Sequence, residues 1–383
     1  MVAASAERSW PAAHWRAILV AIALVGLGYT IVRFAFGIGA IANINQAYPW
    51  GWWIGFGVLS MIAFGSTGFT MALIVDIFGV QRYAPLLKPA ILIGLLFYTG
   101  YAIILMIELG RPWMGWLIFL SWSPTSALFE VAWCATLYTT CLFVEFGRVV
   151  TKHYGWMLIW KMLGWIYLPV VILGVSLSHI HQMSLGTLLT IVPLKVDPRW
   201  WSELLPPLFL VSAYSAGLAI ITIEHVLTTH LTRRKPRLDL LAGLARGQVV
   251  LLSIYLVLRV ADVAYRGVAD AAFQLDWLSF SLWVEIVAGF LVPLVLFSLP
   301  EVRESRWGLL AAASLVAGGV LLNRLNVAVV SMEVKHWQTY FPSVGEVMTT
   351  LGVVAAGILV FAWAVRNLPI HSEPPLDDAE GAP

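Results

Sequence analysis

Ten runs of about 20 or more predominantly apolar residues, each long enough to cross a bilayer, constrain this chain more than any motif in it. They fall at about 15–39, 53–79, 88–110, 123–147, 156–180, 204–231, 240–266, 276–299, 307–331 and 345–368, on the criterion of about 20 residues per span. A soluble domain carries about 25% charged residues. Here 11% are charged and 60% are hydrophobic, so lipid must be the solvent for most of the 383 residues. The expected fold class is all-α: a polytopic integral membrane helical bundle of about ten transmembrane helices. The 19 tryptophans fit aromatic belts at the two interfaces.

The connections are short and rich in breakers, such as Pro49-Trp50-Gly51, Gly110-Arg111-Pro112, Pro236, Pro300 and Pro342. The longest, from about His181 to Glu203, contains Met183 to Val192, which is too short to span and reads as an interfacial or re-entrant helix. Lysine and arginine counting places 15 of the 23 basic residues, including Arg233, Arg234, Lys235 and Arg237, on the side of the N-terminus. Positive loops stay in the cytoplasm, so both termini are expected inside. Segment 15–39 is too long for the apolar core of a signal peptide, about 7–15 residues, and is kept as a helix. The expected organisation is a cytoplasmic segment 1–14, a transmembrane domain 15–368 and a disordered acidic cytoplasmic tail 369–383. With a net charge of +2 and no soluble domain, no nucleic-acid partner is expected.

Ionisable groups at membrane depth are costly and mark a site or pathway by default. Most fall in the expected outer half. Glu108 lies near the outer end of its helix, and Glu130 about two turns below the surface. Arg259, Asp262 and Arg266 share one face of the seventh helix at spacings i, i+3 and i+7. Glu285 lies at matching depth on the eighth helix, Asn323 and Arg324 on the ninth, and His179 and His181 end the fifth. Charge pairing between helices, as of Arg259 with Asp262 or Glu108 with Arg111, is the structural alternative for any one of them. It does not explain why the set prefers one leaflet.

The fourth helix carries a second pattern. Glu130, Cys134, Tyr138, Cys141 and Glu145 fall within about 80° of arc over about 22 Å of rise, a polar stripe that could line a proton path. Ordinary packing of Cys and Tyr is the competing reading. Glu224, in the inner half, has no evident local partner and joins the candidate path.

Walker, dinucleotide and zinc-protease motifs are absent. Two cysteines, Cys134 and Cys141, exclude a four-cysteine iron–sulfur cluster within the chain. A di-haem cytochrome b needs two facing histidine pairs inside the helices. Of the eight histidines only His225 is expected well inside, with His179 and His181 at an edge, so no haem is expected. No metal site is expected either.

Several ordered runs resemble the HybB-type membrane subunit of respiratory NiFe hydrogenases, within the wider NrfD/PsrC superfamily. They are Tyr48-Pro-Trp-Gly-Trp-Trp-Ile, Ser126-Ala-Leu-Phe-Glu130 through Tyr138, His181-Gln-Met-Ser-Leu-Gly186, Leu258-Arg259 through Tyr265-Arg266, Trp283-Val-Glu285, and Tyr340-Phe-Pro through Glu346. The similarity runs in order over about residues 30–368, and the loop Pro193 to Trp201 resembles the family's in length and placement. The resemblance implies a membrane subunit exchanging electrons with menaquinone or ubiquinone. Its expected partners are an outer-face, ferredoxin-like iron–sulfur subunit and a hydrogenase or other oxidoreductase catalytic subunit, in a bacterial or archaeal cytoplasmic (inner) membrane.

By the same resemblance Glu130 is the proton-transfer acid, and His181, Arg259 and Asp262 belong to the quinone site. Asp262 stands where the family has Glu, one methylene shorter, and residues 331–339 differ from the family's Gly-rich stretch. The expected site is therefore catalytic Glu130 and Asp262, a quinone pocket of His181, Arg259, Asp262, Arg324 and Glu108, and a proton path of Glu130, Cys134, Tyr138, Glu145 and Glu224. Two other functions fit parts of the pattern. An anchor or assembly subunit needs neither buried charges nor ten helices; an ion-coupled transporter is expected to show a midplane site and an inverted repeat.

Overall fold

The computed structural model describes residues 13–46, 48, 50–332 and 340–371. Among these residues the fold is all-helical, with no strand. Ten helices are long and apolar enough to cross a membrane: α1 (His14–Phe36), α2 (Trp53–Ile77), α3 (Gln81–Glu108), α4 (Ala127–His153), α5 (Met157–Thr190), α6 (Leu205–Leu231), α7 (Leu238–Arg266), α8 (Trp277–Ser298), α9 (Arg306–Val330) and α10 (Val344–Asn367). In hydrocarbon every backbone N–H and C=O must be satisfied within the segment, and these runs do so by staying helical. They stop where the sequence breaks: Gly37, Gly79, Gly155 and Gly267 take positive φ at the ends of α1, α2, α4 and α7. Ser343 and Glu346 close a reciprocal capping box on α10, and the Asp276 carboxylate caps α8 by accepting from the Ser279 amide.

Helices α2–α5 pack as one bundle and α6–α9 as a second, joined where α6 lies against α2 and α5 and where α9 meets α2. Helix α2, at this junction, is almost wholly buried. Helices α1 and α10 form an outer pair set against α3. Small residues allow the closest crossings. A Cβ added at Gly289 of α8 would lie 2.4 Å from the Gly319 Cα of α9, a contact only glycine permits. Four stretches widen into π-helical turns, at Trp53–Ser60 and Leu73–Ile77 of α2, Val287–Leu291 of α8 and Asn326–Val330 of α9.

Three expectations change. Residues Met183 to Val192 do not form a separate interfacial helix: α5 continues unbroken for 34 residues to Thr190, about 51 Å. No proline falls between Pro169, which the helix accommodates, and Pro193, and Gly186 lets the helix run against Pro206 of α6. His179 and His181 therefore lie inside α5 rather than at its end. Glu130 sits in the first turn of α4 and is half-buried, because Pro124 and the Ser126 cap start that helix later than the apolar run implied. Finally, within the start of the expected disordered tail Ile370 is buried against Leu92 and Leu368, and His371 is partly buried. Residues 1–12, 333–339 and 372–383, and with them the expected N-terminal segment, most of the tail and the departure at 331–339, lie outside the described residues or nearly so.

Candidate functional site

The membrane face that carries the connection 191–204 gathers most of the buried charge. Glu285 of α8 is completely buried, and three donors converge on its carboxylate: Trp200 Nε1 at 2.9 Å, Asn323 Nδ2 at 2.8 Å and Asn326 Nδ2 at 2.7 Å. Ser281 donates in turn to Asn326 Oδ1 at 2.7 Å. Arg324, also completely buried, donates to Asn323 Oδ1 at 2.6 Å, to Ser212 Oγ at 2.9 Å and to the Phe209 carbonyl at 3.1 Å. Its guanidinium lies 3.5 Å from the Phe209 ring centroid, a cation–π contact in place of water.

A second set interlocks with the first through the 191–204 connection. Asp262 accepts from Ser202 Oγ at 2.5 Å and from Arg266 at 2.7 and 3.0 Å, with Arg259 at 3.6 Å. Arg259 donates to the Arg199 carbonyl and Arg266 to the Pro198 carbonyl, so two helix arginines hold the loop backbone. The Asp197 amide donates to the Ser331 carbonyl at 2.9 Å, and Arg199 bridges to Asp276 at 2.6 Å. Asp276 is half-exposed; the Ser279 amide donating to it, with Arg199 beside it, holds its carboxyl below the usual range. A cavity of about 10 Å³, room for one water, lies between Trp200, Tyr255, Arg259 and Asn323. Arg199, Arg259, Asp262 and Arg266 are ion-paired, whereas Glu285 and Arg324 are held by hydrogen bonds to neutral groups, which is what permits their burial.

Of the expected quinone pocket, the structure brings together Arg259, Asp262 and Arg324, and adds Glu285. His181 and Glu108 lie elsewhere, in the first bundle. His181 is fully buried beside Tyr98 and Tyr101 of α3, ring centroids 5.8 and 6.3 Å away, and neither of its nitrogens has a hydrogen-bond partner among the described residues. His179 is engaged by Tyr214 and the Val175 carbonyl. Glu108, at the end of α3, forms no ion pair with Arg111 among the described residues and lies in the electrostatic neighbourhood of Tyr101 and Glu346. Glu346 accepts from Tyr340 at 2.7 Å, and Arg33 caps the end of α3 through the Ile107 and Leu109 carbonyls.

Cys134, Tyr138, Cys141 and Glu145 do share one buried face of α4. Tyr138 meets Tyr98 edge-on at 4.6 Å, so the stripe joins the aromatic column that includes His181. At the opposite membrane face Glu145 nears Asp76, which accepts from Tyr167 at 2.9 Å. Glu224 is not part of this stripe; it lies on α6, with His371 Nε2 3.2 Å from one oxygen.

Reasoning from sequence missed Tyr98 and Tyr101, whose spacing of three on an apolar helix was the available signal. It also missed Trp200 and Ser202, which lie in a loop without periodicity, and His371, for which the apolar Ile370 was the signal. Among the described residues no three His, Cys, Asp or Glu side chains gather where a metal ion could sit.

A ten-span, all-helical protein with a buried ionic network at one face is a multi-pass integral membrane protein of the kind that handles charge within the bilayer. The family described as polysulphide reductase, NrfD, matches residues 40–333, and the chain belongs to that family. It is 32% identical over 352 residues to the probable Ni/Fe-hydrogenase 2 b-type cytochrome subunit of Escherichia coli K12, covering 90% of this chain and 89% of that one. It is 26% identical over 397 residues to the menaquinone reductase integral membrane subunit of Nitratidesulfovibrio vulgaris, covering 94% and 92%. With the Hdr-like menaquinol oxidoreductase integral membrane subunit of Archaeoglobus fulgidus it shares 21% over 391 residues, 93% of each chain.

The Escherichia coli relative corrects one expectation. Its name is that of a b-type cytochrome subunit, which implies haem, against the haem-free reading of the histidine count. Neither nitrogen of the buried His181 has a hydrogen-bond partner among the described residues, and among those residues no second histidine faces it across a cavity. Neither cavity described here has a histidine in its wall. The described residues do not form a paired-histidine pocket.

Proposed function

We propose that the chain is the quinone-reactive membrane subunit of a respiratory oxidoreductase complex, with NiFe hydrogenase the first choice of catalytic partner. The observation that carries this reading is the network at the 191–204 face. Two arginines and two carboxylates, all at most 5% exposed, interlock there beside a water-sized space that Arg259 lines. The names of the hydrogenase, menaquinone reductase and menaquinol oxidoreductase relatives supply the substrate class. In this reading the network faces the outside of a cytoplasmic membrane, both termini are inside, residues 15–368 form the transmembrane domain, and menaquinone or ubiquinone is the substrate. Electrons pass between it and an iron–sulfur subunit docked on the outer face.

Quinone reduction takes two electrons and two protons; quinol oxidation returns them. Arg259 and Arg324 are fixed cations that stabilise negative charge developing on a quinone oxygen, a preorganised field in a dry site. Asp262, held by Ser202 and Arg266, is the acid–base group within reach of that oxygen. Replacement protons travel along Glu145, Cys141, Tyr138 and Cys134 to Glu130. A headgroup needs more room than one water, and Trp200 and Ser202 belong to a loop rather than a helix. Entry is therefore by outward movement of residues 191–204, with release of the Arg266 bond to Pro198.

The test uses a diazirine-tagged short-chain naphthoquinone on the intact complex. The expected adducts lie on the peptides carrying Trp200 to Phe209 and Tyr255 to Asp262, and excess untagged naphthoquinone removes them. Complete absence of adducts on both would overturn the assignment.

A further inference from the structure

The largest described cavity lies away from this network. It measures about 190 Å³ and is enclosed by α2, α3, α6 and α10, with Met61, Phe97, Ile223, Val354 and Phe361 in its wall. Every wall residue is apolar except Glu224. Glu224 lies 12 residues along α6 from Ser212, about 18 Å in rise, so the two places are distinct. Ile358, also in the wall, is 43% exposed on the lipid-facing surface of α10, which puts the cavity within reach of the bilayer.

A carboxyl group in such a wall is costly unless something completes its hydrogen bonding. Glu224 is 8% exposed. His371 reaches one of its oxygens from the membrane face of the 232–237 turn, held there by the buried Ile370 and by Lys88 Nζ donating to the Pro369 carbonyl at 3.2 Å. The His371 contact is one of distance only: neither Glu224 oxygen, nor His371 Nε2, has a hydrogen-bond partner among the described residues. An acyl chain would fill the slot without giving either oxygen a donor. A lipid-soluble ring bearing a hydroxyl would do both.

We propose that this cavity is a second binding site, for a quinol-class ligand whose ring hydroxyl donates to Glu224 while Met61, Phe97 and Phe361 enclose the ring. The inference rests on the quinone reading above and concerns binding alone; no electron transfer is assigned to it.

The experiment labels the intact complex in nanodiscs with the diazirine-tagged naphthoquinone, reduced to the quinol beforehand. Adducts are expected on peptides spanning 353–361 and 220–224, lost with excess untagged naphthoquinol and kept with excess phospholipid. A Cβ at Gly357 meets nothing within 4 Å, so Gly357→Phe can fill the cavity without moving backbone. It should abolish these adducts and leave those at Trp200 to Phe209 unchanged. Glu224→Gln should raise the half-saturating concentration about tenfold, the loss of one hydrogen bond to a charged group.

Adducts at Trp200 to Phe209 with none at 353–361 would overturn the second site alone. Displacement by phospholipid but not by naphthoquinol would assign the cavity to lipid tails. Labelling at 353–361 that survives Gly357→Phe would also refute it. Absence of adducts everywhere would instead remove the quinone reading on which it rests.

Discussion

Replacing Glu285 with alanine removes the acceptor on which Trp200, Asn323 and Asn326 converge, and leaves Asn323 Nδ2 with only its 3.4 Å contact to the Tyr255 hydroxyl. In water a hydrogen bond to a charged group contributes roughly 1.5–3 kcal/mol. Between membrane helices the unfolded reference also finds partners, and the values fall to about 0.6–1.7 kcal/mol each. Three such bonds give a loss of about 2–5 kcal/mol for Glu285→Ala. Glu285→Gln keeps the shape and one good acceptor but sets an NH₂ group against a donor, and should lose less. Unfolding can be read through Cys134 and Cys141, which are buried and unpaired, with a thiol-reactive fluorogenic dye during a thermal ramp. The expected order of melting temperature, from highest to lowest, is wild type, Gln, Ala. An alanine variant that melts with the wild type would refute the claim that this carboxylate ties α8 to α9 and to the 191–204 loop.

Three further outcomes follow from the geometry. Gly289→Leu should push α8 from α9, because even a Cβ there meets the Gly319 Cα at 2.4 Å; overpacking costs about 1–3 kcal/mol, measured by the same dye ramp. Asp276 has a depressed folded-state pKa, so its contribution is present above the unfolded value of about 4 and is lost as pH falls through the folded one. Limited proteolysis of the 267–276 connection should therefore accelerate in acid for wild type, and Asp276→Asn should flatten that pH dependence. Glu130→Gln should slow quinone-linked turnover in proteoliposomes and remove its response to an uncoupler. Unchanged rate and unchanged response would leave Glu130 a packing residue.

The ten spans were legible because apolar run length is a nearly sufficient signal for a membrane helix. Arg259, Asp262, Glu285 and Arg324 were legible as a set because buried charge stands out against lipid-facing sequence. Depth and facing were harder. Glu130 was placed too deep because Trp122 and its neighbours extend the apolar run past Pro124, whereas the backbone starts its helix only at Ala127. His181 was grouped with Arg259 from shared depth, but α5 turns it toward Tyr98 and Tyr101 of the first bundle, and one sequence carries no direct signal for which neighbour a helix face meets. The Met183 to Val192 run was judged alone, although nothing before Pro193 interrupts α5. The pairing of His371 with Glu224 joins residues 147 positions apart and depends on where α10 ends. The histidine count failed differently: it tested one arrangement of haem, and a relative's name speaks for haem without specifying that arrangement.

The central claim is that the Asp262 network is where this chain meets quinone, and the most direct measurement is a ratio of two activities in the purified complex. Turnover is followed once with a short-chain naphthoquinone and once with a soluble dye that takes electrons from the catalytic partner directly, for wild type and for Asp262→Asn. The account predicts that the variant loses quinone-linked turnover by about a hundredfold or more, the contribution of one general acid–base group, while dye-linked turnover stays at the wild-type level. Quinone-linked and dye-linked turnover both at wild-type levels would contradict it; a joint loss of both would mean that Asp262 serves assembly instead.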